Sequence, residues 1–291
     1  MMMDINGKEL TGLIAAALAE DGSENDVTCE FLGIADADVD AAIIARTRGI
    51  VAGLDVARRV FEEADPAIGF AARVGEGDHV DDGDVVVRLH GPARGILVAE
   101  RVALNFLQRL SGVATLTSTF VEAVRGTGVR ILDTRKTTPL LRRMEKYAVT
   151  VGGGENHRYI LSDMVLVKEN HFRAIGGGRA FIDILKTKKP PVAVEVEVDS
   201  LSFLRELLGS PVDRIMLDNF SPDEVAAAVR IIADHRLDHP GFRPEIEVSG
   251  GVNLENIRDF ALAGVNFISI GALTHSARAL DMSLEVGRDG S

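Results

Sequence analysis

The sequence is short of several things at once, and each shortage excludes something. Its 291 residues contain one cysteine, Cys29, no tryptophan and two tyrosines. A lone thiol rules out an intrachain disulfide and a thiolate metal cluster, and it suits a reducing compartment. Cations are outnumbered, 32 Lys and Arg against 44 Asp and Glu, and the net charge of −12 argues against a nucleic-acid or anionic-membrane surface. Long apolar runs are missing as well. Met1-Met2-Met3-Asp4 carries no basic region, and the first apolar stretch, Leu13 to Ala19, stops at Glu20-Asp21, too short for an export signal or a membrane span. A cytoplasmic location is expected, with neither nucleic acid nor membrane as a partner.

What remains is the composition of a folded protein, 46% hydrophobic and 26% charged, long enough for two domains. Its few cations are unevenly placed. Lysine occurs at Lys8 and not again until Lys136, yet from Arg130 to Arg173 there are nine Lys or Arg against five Asp or Glu. Such a run is either a solvated face or a pocket that concentrates a small polyanion.

Residues 10–19 read as a short helix ended by Asp21-Gly22. Between Ala41 and Leu89 the texture is strand and turn, punctuated by Gly77-Asp78 and Gly83-Asp84, with a helix from about Val56 to Ala64. Pro92 opens a helix predicted to run from Ala93 to Leu110, with Leu97, Leu104, Leu107 and Leu110 on one face and Arg101, Asn105 and Gln108 on another. Ser111-Gly112 is expected to break it before a second helix to Arg125. Thereafter β-branched runs at Val129–Asp133, Met164–Lys168, Val192–Val198, Arg214–Asp218, Ile246–Ser249 and Phe267–Gly271 alternate with helical stretches at Pro139–Val149, Ser202–Leu208, Pro222–His235 and Leu254–Ala263. Parallel strands with helical crossovers follow from that pattern. Six or more such units favour an α/β barrel over the alternative, an open doubly wound sheet.

In barrels the chemistry gathers where strands end. Here those ends are Asp133, Lys168, Glu197, Asp218, Ser249 and Gly271. Four are ionisable, and charge beside a buried strand is costly unless paired or used. Ser249-Gly250-Gly251 follows one strand and precedes a helix; Gly271-Ala272 follows the next. Glycines there let backbone N–H groups approach an anion at a helix N-terminus, so a phosphate site is expected, although either pair would also serve as a plain turn. Glu197 and Asp218 offer hard oxygen ligands for a Mg2+ held chiefly by a phosphate substrate; the alternative is simple pairing with Arg135, Arg158 or Lys168.

At Leu132-Asp133-Thr134-Arg135-Lys136-Thr137-Thr138-Pro139 the chain resembles the quinolinate phosphoribosyltransferase family. The likeness continues through Gly152-Gly153-Gly154-Glu155-Asn156-His157-Arg158, Val167-Lys168-Glu169-Asn170-His171, Glu195-Val196-Glu197-Val198, Met216-Leu217-Asp218-Asn219, Val248-Ser249-Gly250-Gly251-Val252 and Ile268 to Thr274, with Glu100 to Asn105 upstream. The blocks stand in order over roughly residues 90–286. The resemblance implies a small N-terminal α/β sandwich domain (1–110, with the tail 276–291 packing on it) and an open, about seven-stranded α/β barrel (111–275). It implies transfer of phosphoribosyl from phosphoribosyl pyrophosphate to quinolinate with decarboxylation, using Mg2+, in a homodimer or hexamer.

By the same resemblance, Thr134, Arg135, Lys136, His157, Arg158 and Lys168 surround the dicarboxylate and the phosphates, and Arg101 comes from a neighbouring subunit. Lys168, Glu197 and Asp218 are the implied catalytic groups, Glu197 and Asp218 also serving Mg2+. Ser249, Gly250 and Gly251, with Ile270, Gly271 and Ala272, would hold the 5′-phosphate. The chain departs from the family pattern in Asn25-Asp26-Val27-Thr28 where Gly-Asp-Ile-Thr is common, in Leu140 where Gly is frequent, and in Lys-Glu-Asn-His for Lys-Asp-Asn-His. These touch loop shape and remove no ionisable group. The nearest rival is a paralogue of molybdenum-transport operons acting on a different base or anion. A carrier role, suggested by the spacing of Gly77-Asp78 and Gly83-Asp84-Val85, fails for want of a modifiable lysine between Lys8 and Lys136.

Overall fold

The computed structural model describes residues 7–34 and 37–287. The chain divides into two compact units: Met1–Ser118 with Thr138–Gly153 and Leu273–Ser291, and Thr119–Thr137 with Gly154–Ala272. Among the described residues no helix is long and apolar enough to cross a membrane.

The first unit is built on a four-stranded antiparallel sheet in the order Met282–Val286, Asp38–Ala45, Val85–Pro92, Gly69–Ala72. Ala41 to Ala45 is an unbroken apolar run and every residue of it is buried, which suits a central strand. The C-terminal strand pairs along it from Ala41 opposite Val286 to Ala45 opposite Met282. The helix Leu54–Ala64 buries Val56, Ala57, Val60 and Phe61, one stripe at helical spacing. Its N-terminus is capped from a distance, Glu76 accepting the N–H of Leu54 at 2.7 Å.

One long helix spans Ala93–Ala123, so the break expected at Ser111-Gly112 does not occur. Both residues are there for packing. Ser111 Oγ accepts the N–H of Ala52 at 3.0 Å, and a Cβ on Gly112 would lie 2.0 Å from the Arg278 carbonyl oxygen. The helical weakness of Gly, about 1 kcal/mol, is offset by tertiary contacts that local reading does not reveal. The expected domain division at 110/111 therefore falls inside a continuous helix.

The next helix, Arg142–Val151, starts later than its apolar pattern suggested. Leu140 lies just before it at φ 66, in the left-handed region, and the residue is 86% exposed. That conformation costs an L-residue about 1–2 kcal/mol, part of which glycine returns through the entropy of its unfolded state. Leu140→Gly is accordingly expected to raise stability by about 0.5–1 kcal/mol. A lower denaturation midpoint in the variant would contradict the strain assigned here.

The second unit holds a six-stranded parallel sheet in the order Arg130–Leu132, Phe267–Ser269, Glu245–Ser249, Arg214–Asp218, Val194–Val198, Val165–Val167. Where about seven strands were expected, the seventh place is a single bridge, Glu155 to Leu132, with Glu155 donating its N–H to Ile131 O at 2.8 Å. The first and last strands of this order are not paired with each other, so the barrel is open. Two helices, Glu169–Ile175 and Gly178–Thr187, were not anticipated; Gly176 and Gly177, at φ 94 and 109, divide them.

The helix expected from Leu254 begins only at Ile257. Asn253 Oδ1 accepts the N–H of Glu255 and Asn256, and Asn256 Nδ2 donates to Gly251 O at 3.0 Å, so a side-chain-bonded turn takes the place of the first helical turn.

Candidate active site

Parallel strands bring their C-terminal ends to one rim. Arg135 follows Arg130–Leu132, Arg158 follows the bridge at Glu155, and Lys168 follows Val165–Val167. Glu197 lies in Val194–Val198, Asp218 and Ser249 close their strands, and Ile270 to Ala272 follow Phe267–Ser269. Residues two apart in a strand share a face, and parallel register aligns that face across the sheet. Glu195 and Glu197 thus stand with Arg214, Met216 and Asp218, and with Glu245, Glu247 and Ser249, while Val194, Val196 and Val198 fill the opposite face. Glu195 and Glu247 are completely buried.

The loop after the first of these strands is tightly tied. Asp133, fully buried, accepts the N–H of His157 at 2.9 Å and Asn156 Nδ2 at 2.6 Å. Thr134 Oγ1 accepts the N–H of Lys136 at 3.0 Å, which turns the chain so that Lys136 is exposed beyond half-buried Arg135. Arg135 Nε is buried without a hydrogen-bond partner. Arg158 donates through Nη1 to Met164 O at 3.0 Å. Burial, and then the Arg135 guanidinium, pull the Arg158 guanidinium below its ordinary pKa. Two guanidiniums that repel each other and are partly desolvated form a place that wants an anion.

Lys168 Nζ pairs with Glu197 Oε2 across adjacent strands. Beside Glu197 opens a cleft of about 260 Å³ whose walls include Phe172, Phe203, Arg173 and Asp199. Asp218 accepts Asn219 Nδ2 at 2.7 Å, and Asn219 itself stands at φ 58. Gly250 explains that neighbour: at φ 85 it turns sharply, and a Cβ there would fall 2.2 Å from Asn219 Oδ1. Gly250→Ala should cost about 1–3 kcal/mol of stability by adding left-handed strain to that collision, read from a chemical denaturation midpoint. An unchanged midpoint would count against this account of the turn.

The glycine loops are only partly as expected. Ile270 is buried and its N–H is spent on Leu132 O at 2.9 Å, so it offers no donor to an anion. Half-buried Gly271 and Ala272 follow, the latter opening the short helix Ala272–His275. The five residues between Gly251 and Ile257 remove the direct helix N-terminus imagined behind Ser249-Gly250-Gly251. Arg101 sits exposed on the helix Ala93–Ala123, in the other unit.

The cationic run also splits. Arg135, Lys136, Arg158 and Lys168 follow strand ends at the rim. Arg130 lies at the other end of its strand, pairing with Glu155 and Glu245 and stacking 4.0 Å from the Phe267 ring centroid. Arg143 and fully buried Lys146 belong to the helix Arg142–Val151, and Arg173 pairs with Glu169. Sequence reasoning missed the buried set Glu195, Glu247 and Arg214, together with the depth of His157. Its only signal was glutamate at alternate positions in strands that are otherwise apolar, Val-Glu-Val-Glu-Val and Glu-Ile-Glu-Val-Ser.

Within that set His157 Nε2 lies 2.9 Å from Glu195 Oε2 and 3.7 Å from Glu247 Oε2, and Arg214 Nη1 donates to Glu247 Oε2 at 2.9 Å. Burial and the Glu195 carboxylate push the Glu247 carboxyl well above its usual range.

Known proteins resemble the chain over nearly its whole length. Residues 113–285 match the model for the quinolinate phosphoribosyl transferase C-terminal domain, and residues 26–111 match that for its N-terminal domain. The chain is 40% identical over 290 residues to quinolinate phosphoribosyltransferase [decarboxylating] 1b of Nicotiana tabacum, covering 96% of this chain and 82% of that protein. It is 39% identical to the nicotinate-nucleotide pyrophosphorylase [carboxylating] of Mycobacterium leprae, covering 98% and 100% of the two chains. The solved structure of the nicotinate-nucleotide pyrophosphorylase from Francisella tularensis superposes with a TM-score of 0.89 at 37% identity, over 98% of each chain. With both domain models matched in order and the rim assembled at the strand ends, the chain belongs to the quinolinate phosphoribosyl transferase family.

Proposed function

We propose that the chain transfers the phosphoribosyl group of phosphoribosyl pyrophosphate to quinolinate and releases CO2, yielding nicotinate mononucleotide and pyrophosphate for de novo NAD biosynthesis. One observation carries the reading: Arg135 Nε is buried with no hydrogen-bond partner, beside an Arg158 guanidinium that burial and then the Arg135 charge hold below its ordinary pKa. A planar dicarboxylate supplies what they lack, since each carboxylate can accept two parallel N–H bonds from a guanidinium. The names of the relatives described above favour quinolinate over the substrate of a molybdenum-operon paralogue.

Quinolinate and phosphoribosyl pyrophosphate are both anions, so the first task is to offset their repulsion. Arg135, Arg158, Lys136 and Lys168 do so. The pyridine nitrogen attacks C1 of the ribose as the C1–O bond to pyrophosphate breaks, and the carboxylates of Glu197 and Asp218 face the developing positive ribose centre. The C2–carboxylate bond then breaks as CO2 leaves, its electron pair staying on C2, where the adjacent quaternised nitrogen stabilises it until C2 collects a proton. No enzyme nucleophile is required. Lys168, tied to Glu197, balances charge between the carboxylate and the departing phosphates.

Glu197 and Asp218 suit Mg2+. Both are oxygen donors, each is held by one neighbour (Lys168 and Asn219), and a pair of carboxylates leaves coordination positions for phosphate oxygens. Bound there, Mg2+ would neutralise charge on the leaving pyrophosphate. Ser249, Gly250, Gly251, Gly271 and Ala272 would hold the 5′-phosphate. Arg101, exposed on its helix, would complete the site of a second copy in a homodimer or hexamer acting in the cytoplasm.

Incubation with quinolinate, phosphoribosyl pyrophosphate and Mg2+ should give nicotinate mononucleotide and CO2; turnover of nicotinate but not quinolinate would overturn the reading. Arg101→Ala and Lys168→Ala proteins, each inactive alone, should regain partial activity when co-assembled. No recovery in verified mixed assemblies would remove Arg101 from the shared site.

A further inference from the structure

His157 is only 7% exposed, and both of its ring nitrogens are occupied by the protein. The backbone N–H of Arg158 donates to Nδ1 at 2.8 Å. A nitrogen that accepts a hydrogen bond bears its lone pair there, so in a neutral ring the proton must sit on Nε2. That nitrogen faces Glu195 Oε2 at 2.9 Å. Glu195 is the nearer of two fully buried carboxylates, and the farther one, Glu247, is already held by Arg214 Nη1 at 2.9 Å. Behind the ring, the N–H of His157 donates to buried Asp133 at 2.9 Å.

The arrangement is a chain of contacts from the sheet interior to the rim: Glu195 to His157, and His157 to the backbone of Arg158. Its second carboxylate oxygen, Glu195 Oε1, is buried with no hydrogen-bond partner, as is Glu247 Oε1. An unpartnered buried acceptor costs about 1–3 kcal/mol. A glutamate is therefore a poor choice for stability at this position, and an apolar residue continuing Val-Glu-Val would pack at lower cost.

We propose that Glu195 is a positioning residue. It holds His157 as the neutral, Nε2-protonated tautomer, and the ring in turn fixes the backbone from which the Arg158 guanidinium projects toward the substrate dicarboxylate. His157 then acts as an oriented wall and not as a hydrogen-bond donor to substrate, because both nitrogens are engaged inside the protein. This differs from the direct substrate contact that family resemblance implied. It rests on quinolinate being the anion bound by Arg135 and Arg158.

Two measurements test the idea, and the first needs no substrate. ¹⁵N imidazole spectra of the wild-type protein, with His157 assigned by comparison with His157→Phe, should show one protonated and one unprotonated nitrogen, the protonated one being Nε2. An Nδ1-protonated ring, or an imidazolium at neutral pH, overturns the proposal even if the protein turns out to use a different substrate. In the second, Glu195→Leu should raise the KM for quinolinate by about 10–100-fold, the scale typical of lost supporting contacts around a site, while KM for phosphoribosyl pyrophosphate moves much less. Glu195→Gln keeps an oxygen acceptor for Nε2–H and should recover most of that loss. Equal changes in both KM values, or Gln no better than Leu in folded protein, would reduce Glu195 to a structural residue. Absence of product from quinolinate in the wild type would instead defeat the functional reading and leave the tautomer result standing.

Discussion

Arg135→Ala is expected to lower kcat/KM for quinolinate by roughly 30- to 1,000-fold, a loss of about 2–4 kcal/mol at the transition state. Arg135 is half-buried after the first strand of the parallel sheet, its Nε has no partner, and its charge depresses the neighbouring Arg158. Ligand binding is the event that would relieve both conditions, so the substrate gains what the free protein lacks. If Arg135 binds substrate as proposed, removing it would take away a desolvated, bidentate contact and leave a substrate carboxylate unpaired. Arg135→Lys should recover little, because an ammonium cannot reproduce the planar fork. Folding is expected to be unharmed, since relieving like-charge crowding costs the free protein nothing. Steady-state kinetics within about threefold of wild type would take Arg135 out of the site.

Glu145→Ala carries the largest expected effect on stability, a loss of about 2–4 kcal/mol. Glu145 is fully buried in the helix Arg142–Val151 and accepts four hydrogen bonds: from Arg109 Nε at 3.0 Å and Nη2 at 2.7 Å, and from Thr138 N at 3.0 Å and Oγ1 at 2.7 Å. Alanine would leave the Arg109 guanidinium without its anion and turn the two donors of exposed Thr138 over to water. The Arg109 side chain is 24% exposed, so water would recover part of the loss, which is why the figure stays below that for a wholly buried pair. Thr138 directly follows the Asp-Thr-Arg-Lys-Thr segment that ends at Thr137, and activity should fall along with stability. Glu145→Gln retains an acceptor and should lose less. A urea midpoint corresponding to less than about 1 kcal/mol of change in Glu145→Ala would show that Glu145 is not the anchor described here.

The elements that reading of the sequence located best are those whose pattern is local. Strand Arg214–Asp218 was found at its observed bounds, and the helix expected over Pro222–His235 runs from Pro222 to Asp238, its start fixed by a reciprocal cap between Ser221 and Glu224. The errors cluster where a distant contact decides. Ser111-Gly112 reads as a break, yet Gly112 is the only residue type that fits against the Arg278 carbonyl, more than a hundred and sixty positions along the chain. Leu140 gives no local warning that its backbone will be left-handed. The strand Gly69–Ala72 lies at the edge of its sheet with most of its residues exposed, so it carries no apolar run to detect.

By itself the sequence determined which chemical groups the protein has to work with, and that they fall at the ends of β-branched runs, because strand periodicity and residue type are both written locally. It also carried the ordered blocks by which the family is recognised. Tertiary structure alone decided which cations reach the rim and which, like Arg130, serve the far end of the sheet, and it alone drew Glu195 and Glu247 against His157. The physical reason is that charge and periodicity belong to single residues and short segments. Burial, hydrogen-bond partnership and the tautomer of a ring belong to neighbours that only strand register brings together.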